Sequence, residues 1–353
     1  MSRGRVHLLS LPNVQSTWAY DLDGFNTMNL LFAEILKRLD YETILYAGED
    51  NDAPCTELVT TITKAEQKQI IGDQLYQHAN IHHDNPLWKI ATPRMIAEIG
   101  KRKQPRDLIC TIAGGSMAHV SMAHPDLMTV EYSIGYVGTF AKYRVYQSHA
   151  WMHLNYGAQG MGESGGRFFD TVIPGFFDTS KFPVNTPEDY VCYVGRFTPK
   201  KGIGIVCEAA RLAGVPLKLI GHGDASLITY GENLGAVNEA TRNDVMSKAR
   251  ALMCPTLYVE PFGCISPEAQ LCGTPVISTD FGGFTESVDH GLSGFRCHLL
   301  GEFVRAIQDC GSLDRAAIRA RAQSLYSIEA AVPQYDAYFK RLDTLWGAGW
   351  NTV

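Results

Sequence analysis

Two pairs of charged residues in this sequence have the types and spacing to do chemistry. The first pair is Glu260 and Glu268, with seven residues between them in PTLYVEPFGCISPEAQLCG, residues 255–273. An ionised carboxylate only accepts hydrogen bonds, and sugar hydroxyls donate them. The apolar run 251–259 reads as a buried strand, 260–263 as a turn, and 266–272 as a helix with Pro267 in its first turn. The backbone N–H groups of Phe262, Gly263, Cys264 and Ile265 then stand at the positive end of that helix, where an anion is favoured. Acids for hydroxyls beside amides for an anion suit a sugar joined to a diphosphate. The alternative is an ordinary buried strand–helix unit with two surface glutamates.

The second pair is Arg196 and Lys201 in GRFTPKKG, directly after an expected strand at 190–194. A fork-shaped guanidinium and a point-charge ammonium converging on one site can hold a diphosphate without a metal. Both would also stabilise the charge that builds on it as it leaves. A solvated surface pair is the competing reading. Further on, the turn GHGDAS follows a strand at 217–220; Gly221 and Gly223 permit close backbone approach on either side of His222.

Elements able to position these residues alternate along the chain. In the first half, residues 6–11 read as a strand, 12–25 as a loop containing Gly24, and a helix follows, capped by Asn26 or Thr27. Its apolar positions Met28, Leu31, Phe32, Ile35, Leu36 and Leu39 keep helical spacing. A strand at 43–46 completes a βαβ unit. Helices are expected at 64–78, 93–103 and 142–157, and strands at 107–113 and 128–132. Glu131 lies near the end of the last strand, where open parallel sheets bind ligands; it faces a ligand there or is a strand carboxylate with a local partner. His149 and His153 share one face of the 142–157 helix, but Ala150 stands where a zinc protease has glutamate, so packing is the reading. His82, His83 and Asp84 read as a polar loop rather than a metal site. Proline-rich residues 178–188 mark a boundary. After it the alternation restarts: helix 203–213, strands 217–220 and 234–237, helix 243–250, strand 274–278, helices 300–310, 313–326 and 335–346. The fold class is α/β with two Rossmann-like domains, 1–178 and 188–334, the segment from about 335 returning to the first.

From about residue 172 to 295 the chain resembles the retaining nucleotide-sugar glycosyltransferases of the GT-B architecture, glycosyltransferase family 4. The matching stretches are VIPGFFDTSKF, Gly195-Arg196 with Lys201-Gly202, the Glu260–Glu268 pair, FGGFTESV and GLSGF, in that order. The resemblance implies two Rossmann-like domains facing each other across a cleft, with the last helix crossing back over the first. It implies retaining transfer of a sugar from a nucleotide diphosphate sugar, a UDP-sugar such as UDP-glucose, to an acceptor hydroxyl. Arg196 and Lys201 would hold the diphosphate, Glu260 the sugar hydroxyls and Glu268 the ribose. His222 would lie by the nucleotide, and the backbone at Val237 would meet the base. Gly24 stands alone where the family often has two adjacent glycines reaching donor and acceptor. Ala113 and Glu131 stand where the family often has histidines, which leaves Glu131, His119 and Asp23 as acceptor-side candidates. No cofactor is required by this scheme. The letters Asp21-Leu22-Asp23 spell a DxD, but in the first loop, and read as loop or acceptor contact rather than a metal site.

Composition narrows the alternatives. The 353 residues carry a net charge of −6, which disfavours non-specific nucleic-acid binding. The one dense basic cluster, Lys101, Arg102, Lys103 and Arg106, is a solvated helix end or a phosphate contact. Nine scattered cysteines without a CxxC pair suggest reduced thiols, and the N-terminus lacks the apolar core of a secretory signal, so a cytoplasmic setting is expected. No run is long enough to span a bilayer. The acceptor stays open between a saccharide, a lipid-linked sugar and a hydroxymethylated DNA base, which would have to be flipped out of its stack. Oligomeric state stays open too. A two-domain sugar- or nucleotide-binding protein without turnover is the second class. A dinucleotide-dependent oxidoreductase is disfavoured because no G-x-G-x-x-G follows the first strand.

Overall fold

The computed structural model describes residues 3–20, 23–72, 84–162 and 166–348. His78, His82, His83, Asp21 and Leu22 lie outside the described residues. The chain forms two compact units: Met1–Tyr146 with Asn155–Ile173 and Ala331–Val353, and Gln147–Leu154 with Pro174–Ala330.

The first unit is a parallel sheet of seven strands in the order β3-β2-β1-β4-β5-β6-β7. These are β1 (Gly4–Leu9), β2 (Tyr41–Ala47), β3 (Glu57–Thr60), β4 (Leu108–Thr111), β5 (Met128–Ile134), β6 (Tyr143–Tyr146) and β7 (Thr171–Val172). Val6, Leu8 and Leu9 of β1 are fully buried, as expected of a strand covered on both faces. Helix α1 (Gly24–Arg38) starts earlier than its expected cap. Asp23 caps it, its carboxylate accepting from the amides of Phe25 and Asn26 at 3.0 Å each. Asn26 is drawn inside instead, its amide donating to the Thr17 carbonyl at 2.9 Å. After α2 (Lys64–Ile71), helix α3 (Pro86–Arg102) begins at Pro86 behind the cap of Asn85, and so contains Pro93 instead of starting there. A short helix, α4 (Ala118–Ala123), precedes β5.

Residues 142–157 are not one helix. Tyr143–Tyr146 pair with β5 and β7 as β6, all four buried, and α5 (His149–Ala158) begins only after them. Aromatic and β-branched side chains favour the strand. The final helix, α12 (Ile328–Ala348), belongs to this unit from Ala331 on. Tyr335 meets Phe32 edge-on at 5.0 Å and Phe339 meets Tyr41 at 5.4 Å.

The second unit is a six-stranded parallel sheet in the order β10-β9-β8-β11-β12-β13. Its strands are β8 (Val191–Val194), β9 (Leu217–Ile220), β10 (Glu232–Gly235), β11 (Ala251–Cys254), β12 (Val276–Thr279) and β13 (Gly294–Cys297). Its helices are α6 (Ile203–Ala213), α7 (Glu239–Lys248), α8 (Ile265–Leu271), α9 (Phe284–Ser287), α10 (Leu300–Asp309) and α11 (Arg315–Tyr326). Val206, Ala210, Phe303 and Ile307 of α6 and α10 pack on one face of the sheet. Met246, Ala269, Leu271 and Ala322 of α7, α8 and α11 pack on the other. Both sheets reverse their winding once, in this unit between β8 and β11. Loops diverge at such a switch point, and open parallel sheets bind ligands there. Among the described residues, no helix is long and apolar enough to cross a membrane.

Candidate functional site

One member of each sequence pair, Lys201 and Glu260, meets the other because β8 and β11 are neighbours. Val191 pairs with Ala251 and Cys192 with Leu252, both strands running the same way. The loop bearing Arg196 and Lys201 leaves the carboxyl end of β8; the loop bearing Glu260 leaves that of β11. Glu260 is fixed through its main chain. Its carbonyl accepts from the Gly283 amide at 2.8 Å. A β-carbon on Gly282, φ +64°, would fall 2.7 Å from the Glu260 nitrogen, so only glycine allows that approach. The hydroxyl of Ser148 donates to the next carbonyl, that of Pro261.

Lys201 Nζ lies 2.5 Å from Glu260 Oε2, with the two side chains 21% and 13% exposed. The ammonium also stands over the Tyr258 ring, 5.0 Å from its centre. Burial works against the Lys201 charge, but the Glu260 carboxylate outweighs it and the pKa is raised. Lys201 is therefore a firm cation at neutral pH. The thiol of Cys264 reports the compactness of the site: burial pushes it up to about 12, the charges of Glu268 and Glu260 push the same way, and Lys201 opposes them. Both glutamates and the lysine thus act on one atom. Glu268 pairs with neither Lys201 nor Arg196; Arg242 Nη2 stands 3.3 Å from its Oε2. Burial raises the Glu268 pKa and Arg242 works against that rise. Arg196 is exposed, and its charge reaches the Tyr193 hydroxyl, on which Glu260 also acts. The amides of Gly263, Cys264 and Ile265 meet no acceptor among the described residues, while those of Ser266 and Glu268 are taken by Gly263 and Cys264. Phe262 places its ring in the core, 5.8 Å from Tyr326, leaving only its main chain at the turn. Tyr258, Tyr193 and Arg242 are absent from the sequence reading. Tyr258 and Tyr193 alternate with Glu260 and Gly195, which is the one local signal they carried.

The remaining expected residues are more scattered. The Gly195 amide continues the sheet by donating to Ile220 at 3.0 Å, and the His222 carbonyl accepts from Phe197 at 2.7 Å, the His222 side chain being exposed. Val237 follows β10, which ends two residues earlier than expected, and is half-buried. Gly24 is the exposed first residue of α1. Asp23 is engaged as the α1 cap, with burial raising its pKa. His119 is exposed on α4. Glu131 is the strand carboxylate with local partners. Fully buried, it accepts from the Phe140 and Ala141 amides at 2.9 Å each and the Tyr136 hydroxyl at 3.1 Å, so it latches the 136–141 loop. Three of the four residues of the basic cluster are ion-paired: Lys101 with Glu98 at 2.5 Å, Arg102 with Glu57 at 2.8 Å, Lys103 with Asp126 at 2.6 Å. These pairs lie at the end of α3 and just beyond it. His149 is exposed and bound to Glu286, not packed in a core. All nine cysteines are free.

Comparison with known proteins fits this geometry. Residues 177–308 match the model of the glycosyl transferases group 1. A D-inositol 3-phosphate glycosyltransferase of Mycolicibacterium smegmatis is 31% identical over 175 residues, 44% of this chain and 40% of that protein. The chain thus spans about two-fifths of that relative's length. Two solved structures share the fold along nearly the whole chain. AviGT4, a glycosyltransferase involved in avilamycin A biosynthesis, has a TM-score of 0.68 at 17% identity, covering 96% of this chain and 97% of that one. Anabaena HepE in complex with UDP and glucose has a TM-score of 0.66 at 17% identity, covering 96% and 99%.

Proposed function

We propose that this chain, which matches the glycosyl transferases group 1 over residues 177–308 and has a GT-B fold, moves a sugar from a nucleotide diphosphate sugar, a UDP-sugar such as UDP-glucose, to an acceptor hydroxyl with retention. The second unit binds the donor and the first the acceptor. The observation that carries the reading is the Lys201–Glu260 pair at 2.5 Å, built at the switch point of the sheet inside the family-matched segment. UDP on the HepE fold supports uridine as the base. Nine free thiols suit a reducing compartment such as the cytoplasm.

In this scheme Lys201 and Arg196 hold the diphosphate and stabilise the charge that grows on it. Glu260 has two duties. It keeps Lys201 in place before the donor arrives, and its second oxygen accepts from sugar hydroxyls. Glu268 accepts from the ribose. The free amides of Gly263, Cys264 and Ile265 meet phosphate or sugar oxygens. The bond between the anomeric carbon and the β-phosphate oxygen breaks, its electron pair leaving with the phosphate. The acceptor oxygen bonds to that carbon from the same face, and its proton passes to the departing phosphate. No protein base is needed.

A panel of UDP-, GDP- and ADP-sugars, read by thermal shift and by nucleoside diphosphate release with candidate acceptors, tests the proposal. UDP release that rises with a polyol or saccharide acceptor supports it. Tight donor binding with no release over every acceptor would make the protein a binder instead. Absence of any nucleotide binding would end the reading.

A further inference from the structure

We propose that Arg242 is a positioning residue of the donor site, holding one oxygen of Glu268 so that the other faces the ribose hydroxyls. The inference rests on the reading of Glu268 as the ribose acceptor. Arg242 lies outside both sequence motifs, on α7, 26 residues before Glu268. Its Nη2 stands 3.3 Å from Glu268 Oε2, and the two side chains are 14% and 13% exposed. Among the described residues Arg242 is the ion-pair partner of Glu268.

The arginine is itself fixed from two sides. Its Nε donates to Asn243 Oδ1 at 3.1 Å, and Nη2 lies 3.8 Å from Glu239. Glu239 is taken by Lys181 at 3.0 Å. Asn243 closes the arrangement by donating to the Lys181 carbonyl, also at 3.0 Å. Base and acid therefore alternate, Lys181–Glu239–Arg242–Glu268, and the series ends on the one member proposed to meet ligand.

This ending matters because a carboxylate accepts on both oxygens only while ionised; protonated, one oxygen becomes a donor. Burial favours the neutral acid, and so does the like charge of Glu239. Arg242 is the main opposing charge, with Lys181 the weaker one. The other titratable groups facing Glu268 are the thiols of Cys264 and Cys272, each pushed by burial to about 12 and so neutral. The ribose-binding form of Glu268 thus depends on Arg242.

Binding of UDP by isothermal titration between about pH 4.5 and 8 tests this on wild type, R242Q, R242K, E239Q and E268Q. Wild-type affinity should fall at acid pH. R242Q should bind roughly tenfold more weakly near neutrality, with its acid limb moved up by about one pH unit. R242K should restore most of that shift. E239Q, which removes a like charge and keeps Arg242, should move the limb down, and it carries the test if R242Q does not fold. E268Q should bind weakly and keep only the limb of the UDP phosphate itself, whose second proton titrates at about pH 6 in every variant. An R242Q or E239Q limb at the wild-type pH overturns the role of Arg242 while leaving the donor site standing. Failure of the wild type to bind UDP, GDP or ADP would remove the donor site itself.

Discussion

A β-carbon built on Gly202 would lie 2.0 Å from the carbonyl oxygen of Pro255. Gly202 closes the short turn Pro199–Lys201 with φ at +74° and opens α6, while Pro255 is the first residue after β11. The two loops of the candidate site therefore touch main chain to main chain. That contact brings Lys201 within reach of Glu260. G202A adds a left-handed penalty of about 1–2 kcal/mol to a backbone overlap that only movement of one loop can relieve. We expect at least about 2 kcal/mol of lost stability and loss of donor turnover, measured by urea unfolding and by UDP release. A variant as stable and active as wild type would show that the loops need not touch.

Lys201 and Glu260 should behave as one unit. K201A removes the cation proposed to face the leaving group, and we expect turnover to fall about 10²–10³-fold, the range for losing one preorganised charge donor. It also leaves Glu260 without its partner, at a cost of about 1–3 kcal/mol in stability. E260A frees Lys201 to wander. Residues in contact are non-additive, so the double variant should lose much less than the product of the single losses. Strictly multiplicative losses in UDP release would break the unit apart.

The second unit was more legible in sequence than the first, for local reasons. Helix Ile203–Ala213 and strand Leu217–Ile220 have the limits expected, because Gly202 and Gly214 punctuate one and the apolar run defines the other. The motif residues were visible because each pair is confined to a few turns of chain. Arg242 was not, since nothing local ties a residue of α7 to a glutamate on α8. Glu131 had two equal readings until the fold of residues 136–141 supplied its three donors. β6 was hidden because its four residues run into an aromatic stretch with helical spacing. β3 was missed because ELVT is short, polar and half-exposed.

Glu286 should stabilise the second unit through the start of α5. Its carboxylate accepts from the amides of His149 at 2.9 Å and Ala150 at 2.8 Å, and lies 3.0 Å from His149 Nδ1. A negative group there satisfies orphan amides and faces the positive end of the helix. E286A should cost about 1–2 kcal/mol, seen as a drop of about 2–4 °C in the thermal midpoint. Ser148 adds a link to the site, accepting from the Trp151 amide at 3.0 Å while donating to Pro261, the neighbour of Glu260. S148A should therefore reduce turnover as well as stability, whereas E286A acts mainly on stability. Equal midpoints for E286A and wild type would mean that solvent caps the helix as well.

Asp170 should give the first unit a pH-dependent stability. Its side chain is 0% exposed beside Arg167. Burial pushes its carboxyl up to about 6, against the opposing effects of the Tyr156 hydroxyl, Arg144 and Arg167. In the unfolded chain an aspartate titrates near pH 3.9. Between roughly pH 4 and 6 the folded state then holds more protons than the unfolded state, so stability falls as pH rises. The contribution is complete below about pH 4 and lost above about pH 6, and a shift of roughly two units corresponds to about 2–3 kcal/mol. D170N keeps the shape and cannot ionise. Other groups titrate alike in both proteins and cancel in the difference. Urea unfolding of wild type and D170N at pH 4, 5, 6 and 7 should show the gap moving toward the asparagine variant by about that amount, most of it between pH 4 and 6. Parallel stability curves across the range would mean that Asp170 stays ionised in the folded protein, held by Arg144 and Arg167 more strongly than burial opposes it.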